Sequence, residues 1–404
     1  MNNYFNRFKN SYACRLAYMA IFVVLAGLTL GAHSEPVVES SAFDTILDDP
    51  RVQELGKKGL NHLYNMEKEK AAEAFGEIEE LYPRHPIAPF LKGLNIWWDI
   101  MIDLPNDKYD EDFYREMGSV IKRSNRMLKR NRRDFDAMFF KGAALGFRGR
   151  LRSNRGIWFK AALDGKNAMD YVLAIAEKED ENADYGFGKG IYDYFSVVIP
   201  EQYPAVRPFT VFVPKGNKER GIENLERTMA EGYFIRTEAA YFLLQIYYTF
   251  EKDFNKSRHY IEWLRSSHPS NSFFHVYEGR VFFRWGRWGD ALPIFEDVIE
   301  NYEAGKPGYS NVIVEQALYY AARCHMVYRR LPEAMTYLTR MKEMSEQPGA
   351  TSVFRILALL RIGMVHDAQG EREKAVQYYN EVLSMDDWAG AHKQATRYLE
   401  KAYK

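Results

Sequence analysis

Cysteine is almost absent. The 404 residues contain two, Cys14 and Cys324. An internal disulfide framework is excluded for any form of the chain that has lost its first residues, and paired-cysteine metal spacing is absent throughout. Cys324 falls in an apolar helical stretch and reads as a small buried residue rather than a reactive thiol. Net charge is also lacking: 55 basic residues balance 55 acidic ones. The balance hides an asymmetry, because the first 34 residues hold Arg7, Lys9 and Arg15 and no acid, leaving the rest at −3. Nothing in that balance draws the chain to nucleic acid. Strand-type alternation is scarce, and beyond residue 40 no apolar run is long enough to span a bilayer.

The one long apolar run is Leu16 to Leu30, behind a basic region that ends at Arg15. Small residues at Ala32 and Ser34 follow, so 1–34 reads as a secretory signal cut before Glu35. The alternative is an uncleaved amino-terminal anchor. Either reading places the remainder outside the cytoplasm, periplasmic or secreted. Cys14 lacks the small-residue box that lipidation requires.

Helical periodicity is nearly continuous, and it repeats. The pattern runs from a small residue to an alanine twelve positions on, a large apolar residue four further, and another three beyond that. Gly59, Ala71, Phe75 and Ile78 fit it; so do Gly279, Ala291, Phe295 and Val298. Ala322, Ala334, Leu338 and Met341 fit, as do Gly363, Ala375, Tyr379 and Val382. Ser257, Ile261 and Leu264 fit the second half. Gly286 and Gly370 mark the turn between the helices, and Pro83 and Pro269 stand where a second helix must stop. Small residues let two antiparallel helices approach closely, and the large ones fill the next layer.

This spacing resembles the tetratricopeptide repeat family. The resemblance implies an all-α, right-handed superhelical solenoid of about eight helix pairs, whose first helices line a concave groove. The expected organisation is a linker at 35–51, a pair at 52–86, irregular pairs over 87–232, four pairs over 236–387, and a capping helix at 388–404. Within the irregular part, Gly93 and Trp97 suit a first helix, and Gly142 and Leu145 suit another. A second helix is expected from about Asn217 to Gly232. Between them Pro200 to Gly216 carries four prolines and is expected to be a non-helical arm. This central part, with Gly186–Phe195 and Gly221–Leu225, also faintly resembles the inclusion-body-clearance family of tetratricopeptide proteins.

No catalytic or metal constellation is legible, and no cofactor is expected. Gly186-Phe187-Gly188-Lys189-Gly190 lacks the strand and the Gly-Lys-Ser/Thr ending of a phosphate loop, and it sits where helices should pack closely. His62, His325 and His366 each lie three residues after a packing residue, where the family places a flat ring. Two features point to binding. Groove positions implied by the resemblance hold Leu94, Trp97, Trp98, Phe147, Tyr192, Tyr248, Arg280, Phe283 and Arg284, with Gln245 and Thr249 beside them. Tyr, Trp and Arg are the residues that anchor interfaces. A basic run, Lys122, Arg123, Arg126, Lys129, Arg130, Arg132 and Arg133, is continued in sequence by Arg148, Arg150, Arg152 and Arg155.

The expectation is a non-catalytic scaffold or adaptor of the cell envelope that holds a protein or peptide partner and no nucleic acid. Weak membrane association and self-assembly stay open. An enzyme acting on envelope material or glycans, with a site near the proline arm and Glu201, Arg207 or Lys215, is the competing reading.

Overall fold

The structure is a computed structural model that describes residues 45–178, 182–204, 207, 215–346 and 354–404. The expected signal segment and most of the proline arm lie outside the described residues. The chain divides into two compact units, which meet in sequence at Lys252 and Asp253.

Seventeen α-helices follow one another, and no strand occurs among the described residues. In the amino-terminal unit, α1 (Pro50–Tyr64) pairs with α2 (Lys68–Leu81), and α3 (Ile87–Ile102) with α4 (Asp110–Arg130). Then α5 (Phe135–Asn154) pairs with α6 (Trp158–Ala176), and α7 (Gly186–Gln202) with α8 (Lys218–Glu231). Helix α9 (Arg236–Gln245) closes the unit and runs into a π-helical turn, Ile246–Glu251. The carboxy-terminal unit opens with α10 (Phe254–Ser267). It continues with the pairs α11 (Ser272–Arg284) with α12 (Trp288–Glu303) and α13 (Asn311–Val327) with α14 (Leu331–Ser345). It ends with α15 (Phe354–Ala368), α16 (Arg372–Ser384) and the capping helix α17 (Ala391–Glu400).

Many helix starts are set by a short acceptor side chain that satisfies an orphan backbone N–H. Asp49, Asp134, Asn217, Asp253 and Asn271 each accept from an amide two or three residues on. The pairs are then held by the twelve-residue pattern. Ala71, Ala291, Ala334 and Ala375 are fully buried, and so are Phe295, Leu338 and Tyr379 behind them. A Cβ built on Gly279 would lie 2.5 Å from the Phe295 ring, and one on Gly363 would lie 2.7 Å from Tyr379. The aromatic ring therefore occupies the space that a side chain on the first helix would need.

Seven residues after the packing residue the chain must turn through left-handed backbone. Gly286 and Gly370 do so at φ +82°. Met66 and Arg329 occupy the same offset at φ +63° and +56°, where a side chain strains the backbone by about 1–2 kcal/mol.

One expectation is corrected. Pro200 does not end its helix: α7 runs through it to Gln202. The ring sits in the last turn, where only one hydrogen bond is lost, and the Tyr203 amide still reaches the Ile199 carbonyl at 2.8 Å.

Two stability measurements follow. Gly279→Ala is expected to destabilise by about 1–3 kcal/mol, because Phe295 is fully buried and has nowhere to move. The gain in helix propensity of about 1 kcal/mol does not compensate the overlap. Arg329→Gly is expected to stabilise by about 1 kcal/mol. Urea unfolding of each variant against wild type reads both.

Candidate functional site

The expected groove residues separate into two groups. Leu94, Trp97, Trp98, Tyr192 and Tyr248 are in the interior of the amino-terminal unit, all 7% exposed or less. Trp98 meets Tyr64 edge-on at 5.6 Å; Trp97 packs on Phe113 and Phe147, each at 5.4 Å. Burial pushes the Tyr192 phenol up to about 12. Gln245 and Thr249 are buried as well. Arg280 and Phe283 are half-buried and Arg284 is exposed, all on α11 of the carboxy-terminal unit.

In that unit the first helices α11, α13 and α15 lie side by side. Arginines and aromatic rings interleave across them. The Arg280 guanidinium lies 4.5 Å from the Tyr277 ring centre. Arg323 lies 4.5 Å over Phe283 and 5.2 Å from Tyr319. Arg361 lies 5.8 Å from Tyr319 and donates to its hydroxyl at 3.2 Å. Burial works to raise the Tyr319 phenol, but Arg361 and Arg323 outweigh it and hold the phenol below its ordinary value. Among the described residues neither Arg323 nor Arg361 pairs with a carboxylate, and the buried Arg361 Nε has no hydrogen-bond partner. Sequence reasoning missed Arg323 and Arg361. Their signal was the recurrence of Arg on first helices beside Tyr.

The basic run divides too. Lys122, Arg126, Lys129, Arg130, Arg132 and Arg133 are exposed on α4 and just after it, and Lys122, Arg126 and Lys129 border a shallow depression of 410 Å³. Arg123 instead donates to the carbonyls of Pro83 and His85, each at 2.9 Å. The continuation along α5 turns inward. Arg148 and Arg152 both grip the buried Asp164, at 2.6 Å each, and Arg155 chelates Asp110 at 2.6 and 2.8 Å. These arginines are neutralised within the unit and do not extend the surface patch.

The amino-terminal unit contains an apolar, partly open chamber of about 260 Å³, which sequence reasoning missed. Its origin is in the repeat itself. The third pair keeps the twelve-residue interval at Gly149 and Ala161, with Gly156 at the turn at φ +74°. The packing residue is therefore Gly149, seven residues beyond the Gly142 that the pattern had selected. At the next two positions, where other pairs place Phe, Leu or Tyr and then Ile, Val or Met, this pair has Gly165 and Ala168. The missing side chains leave the space, and both residues line it. Phe90, Phe140, Phe147, Phe187 and Phe242 form much of the wall.

Three charged residues line the chamber, Arg150, Asp184 and Glu238. Arg150 lies 5.0 Å over Trp97 and 5.3 Å over Phe242, and burial pulls its pKa down. Glu238 accepts from the Tyr64 hydroxyl, and burial pushes its carboxyl up to about 7. The Arg150 Nε and the Glu238 Oε2 make no hydrogen bond. Buried polar atoms without partners are uncommon.

Of the residues named beside the proline arm, Glu201, Arg207 and Lys215 are exposed, and Arg207 donates to the Pro200 carbonyl at 2.9 Å. No group of three or more His, Cys, Asp or Glu among the described residues is placed to hold a metal ion. His325 and His366 stack on Tyr337 and Tyr378, each at 5.4 Å, as flat rings between helices. Gly188 and Gly190 pack against Val172 and Gly221, which accounts for the glycine-rich stretch. Cys324 is buried and its thiol is pushed up to about 12.

Antiparallel helix pairs stacked in chain order, with small-residue contacts at a fixed interval, define an α-helical repeat protein. Residues 357–386 match the tetratricopeptide repeat family, and antiparallel helix pairs with the same small-residue interval recur along the described residues. No curated protein sequence matches. The human IFIT1 dimer with m7Gppp-AAAA is 14% identical, with 88% of this chain and 86% of that chain covered and a TM-score of 0.39. The Cut9 and Hcn1 hetero-tetramer of APC/C is 10% identical, with 88% and 85% covered and a TM-score of 0.30. The P58(IPK) tetratricopeptide domain is 14% identical, with 87% and 99% covered and a TM-score of 0.25.

Asp164→Asn is expected to cost about 3 kcal/mol, because it leaves Arg148 and Arg152 with no charge partner in a mostly buried position. Thermal unfolding of the variant reads the loss. A change within about 0.5 kcal/mol would mean that the arginines are hydrated rather than held.

Proposed function

We propose that this protein is a non-catalytic scaffold of the cell envelope that holds an acidic segment of a partner protein against the first helices of its carboxy-terminal unit. The observation that carries the reading is the pair Arg323 and Arg361. Both guanidinium groups rest on aromatic rings, and neither has a carboxylate partner among the described residues. Arginines preorganised in this way offer forked donors to a carboxylate at little further entropy cost. The surrounding Phe283, Tyr319 and Tyr320 supply rigid apolar surface. Export is supported by the apolar run Leu16 to Leu30 and its flanks. Tetratricopeptide repeats commonly serve protein interaction, and the acidic partner is this chain's own specification of that role.

The test is titration of a fluorescent glutamate-rich peptide into wild type and into Arg323→Gln with Arg361→Gln. The double variant is expected to bind at least tenfold more weakly, by about 1.5–3 kcal/mol per charge-assisted bond lost. Wild-type binding is expected to weaken as salt rises from 50 to 300 mM, by the screening of ~8–10 Å range charge interactions. Equal affinities with unchanged circular dichroism would refute the assignment.

A further inference from the structure

The chamber of the amino-terminal unit is separate from the face assigned above, and its features agree with one another. It lies beside the third pair, among α1, α3, α5, α6, α7 and α9, where Gly165 and Ala168 stand in place of the large side chains found at these positions in the regular pairs. Packed interiors leave few voids larger than a water. A space of about 260 Å³ is therefore a specific departure from that rule. Its wall is phenylalanine and aliphatic, which suits a hydrocarbon chain. Its polar end is not inert: the Arg150 Nε is a donor without an acceptor, and the Glu238 Oε2 has no partner either.

We propose that this chamber binds a medium-chain carboxylic acid, with its hydrocarbon tail against Gly165 and Ala168 and its carboxyl group against Arg150 and Glu238. The charge arithmetic selects this headgroup. Arg150 supplies one positive charge. The ligand carboxyl and Glu238 together supply one negative charge if they share a single proton. Whichever carries it donates to the other, and Arg150 satisfies the remaining oxygen. Both orphaned atoms then gain partners, and Arg150, Glu238 and the ligand carboxyl together carry no net charge. An amine headgroup would face Arg150, and a hydrocarbon alone would leave both polar atoms unpaired. The groups facing Glu238 are Tyr64 from α1, Arg150 from α5 and Asp184 ahead of α7, while Tyr241 on its own helix faces Arg150. Asp184 is held apart by accepting from the amides of Tyr233, Phe234 and Ile235.

The probe is sodium decanoate, titrated into the purified full chain by calorimetry, with decanol and hexadecanoate as comparisons. Saturable binding of one decanoate per chain is expected, at least tenfold tighter than decanol. Hexadecanoate is expected to bind more weakly, because its chain exceeds the space. Affinity is expected to fall as pH rises above about 7, approaching tenfold per unit once the shared proton is lost. Arg150→Met is expected to remove at least tenfold in affinity while retaining the packing on Trp97. Gly165→Phe and Ala168→Ile, which restore side chains of the kind found in the other pairs, are expected to abolish binding and to keep or raise the thermal midpoint. If one filling variant fails to fold, the other carries the result, and Arg150→Met stands independently. Absence of decanoate binding to wild type overturns the proposal. So does equal binding to a folded filling variant, or decanol binding as tightly as decanoate.

Discussion

The contact on which each unit depends is the one between a small residue on a first helix and the buried residues that follow twelve to nineteen positions later. It is a steric constraint more than an attraction. The glycine at position 279 allows the ring of Phe295 to lie where a β-carbon would otherwise stand. Burial of that ring then contributes about 1.5–3 kcal/mol. Register, helix spacing and turn position all follow from it, because a shift by one residue would bring a side chain against the ring. The left-handed turn residue is a consequence: the chain must reverse in a few residues for the twelve-residue interval to close. Arg329 accepts strained backbone at that offset, which indicates how little freedom the interval leaves.

The same constraint explains where the protein departs from a plain stack. In the third pair the interval is kept and the filling residues are not, so the helices hold their spacing beside empty space. The aromatic rings that seemed suited to an external groove, Trp97 and Phe147 among them, instead contribute to the packing around this space. In the carboxy-terminal unit the layer is filled, and the proposed contact lies where the first helices α11, α13 and α15 adjoin. There arginines stand on tyrosine and phenylalanine without carboxylate partners among the described residues. The two units thus use one scaffold in opposite ways, one with an interior and the other with a face.

How much of this could be read from residues alone depends on how completely a pair obeys the pattern. The ends of the chain were legible because Gly59, Gly279, Ala322 and Gly363 each carry all the later positions. The second helix from Asn217 to Gly232 was legible from its cap residues. The third pair was not: the pattern demanded large residues where Gly165 and Ala168 stand, so Gly142 was selected in place of Gly149. The inward turn of Arg148, Arg152 and Arg155 was hidden because charge runs are counted along the chain, whereas their acids, Asp164 and Asp110, are brought to them by packing. Pro200 was read as a helix stop because periodicity cannot tell a last turn from an interior one. The burial of Trp98, Tyr192 and Tyr248 depends on which helix comes next, which a single pair does not reveal.

The central claim is that the interval sets the spacing whether or not the layer behind it is filled, so the third pair borders a real void. Xenon under pressure, followed by diffraction from crystals of the protein, tests this directly, since dry apolar cavities take up the gas. The account predicts xenon bound beside α5 and α6, bordered by Gly149, Gly165 and Ala168 and by Phe90 and Phe187 of the neighbouring helices. Helices closed onto one another with no xenon beside them would contradict it.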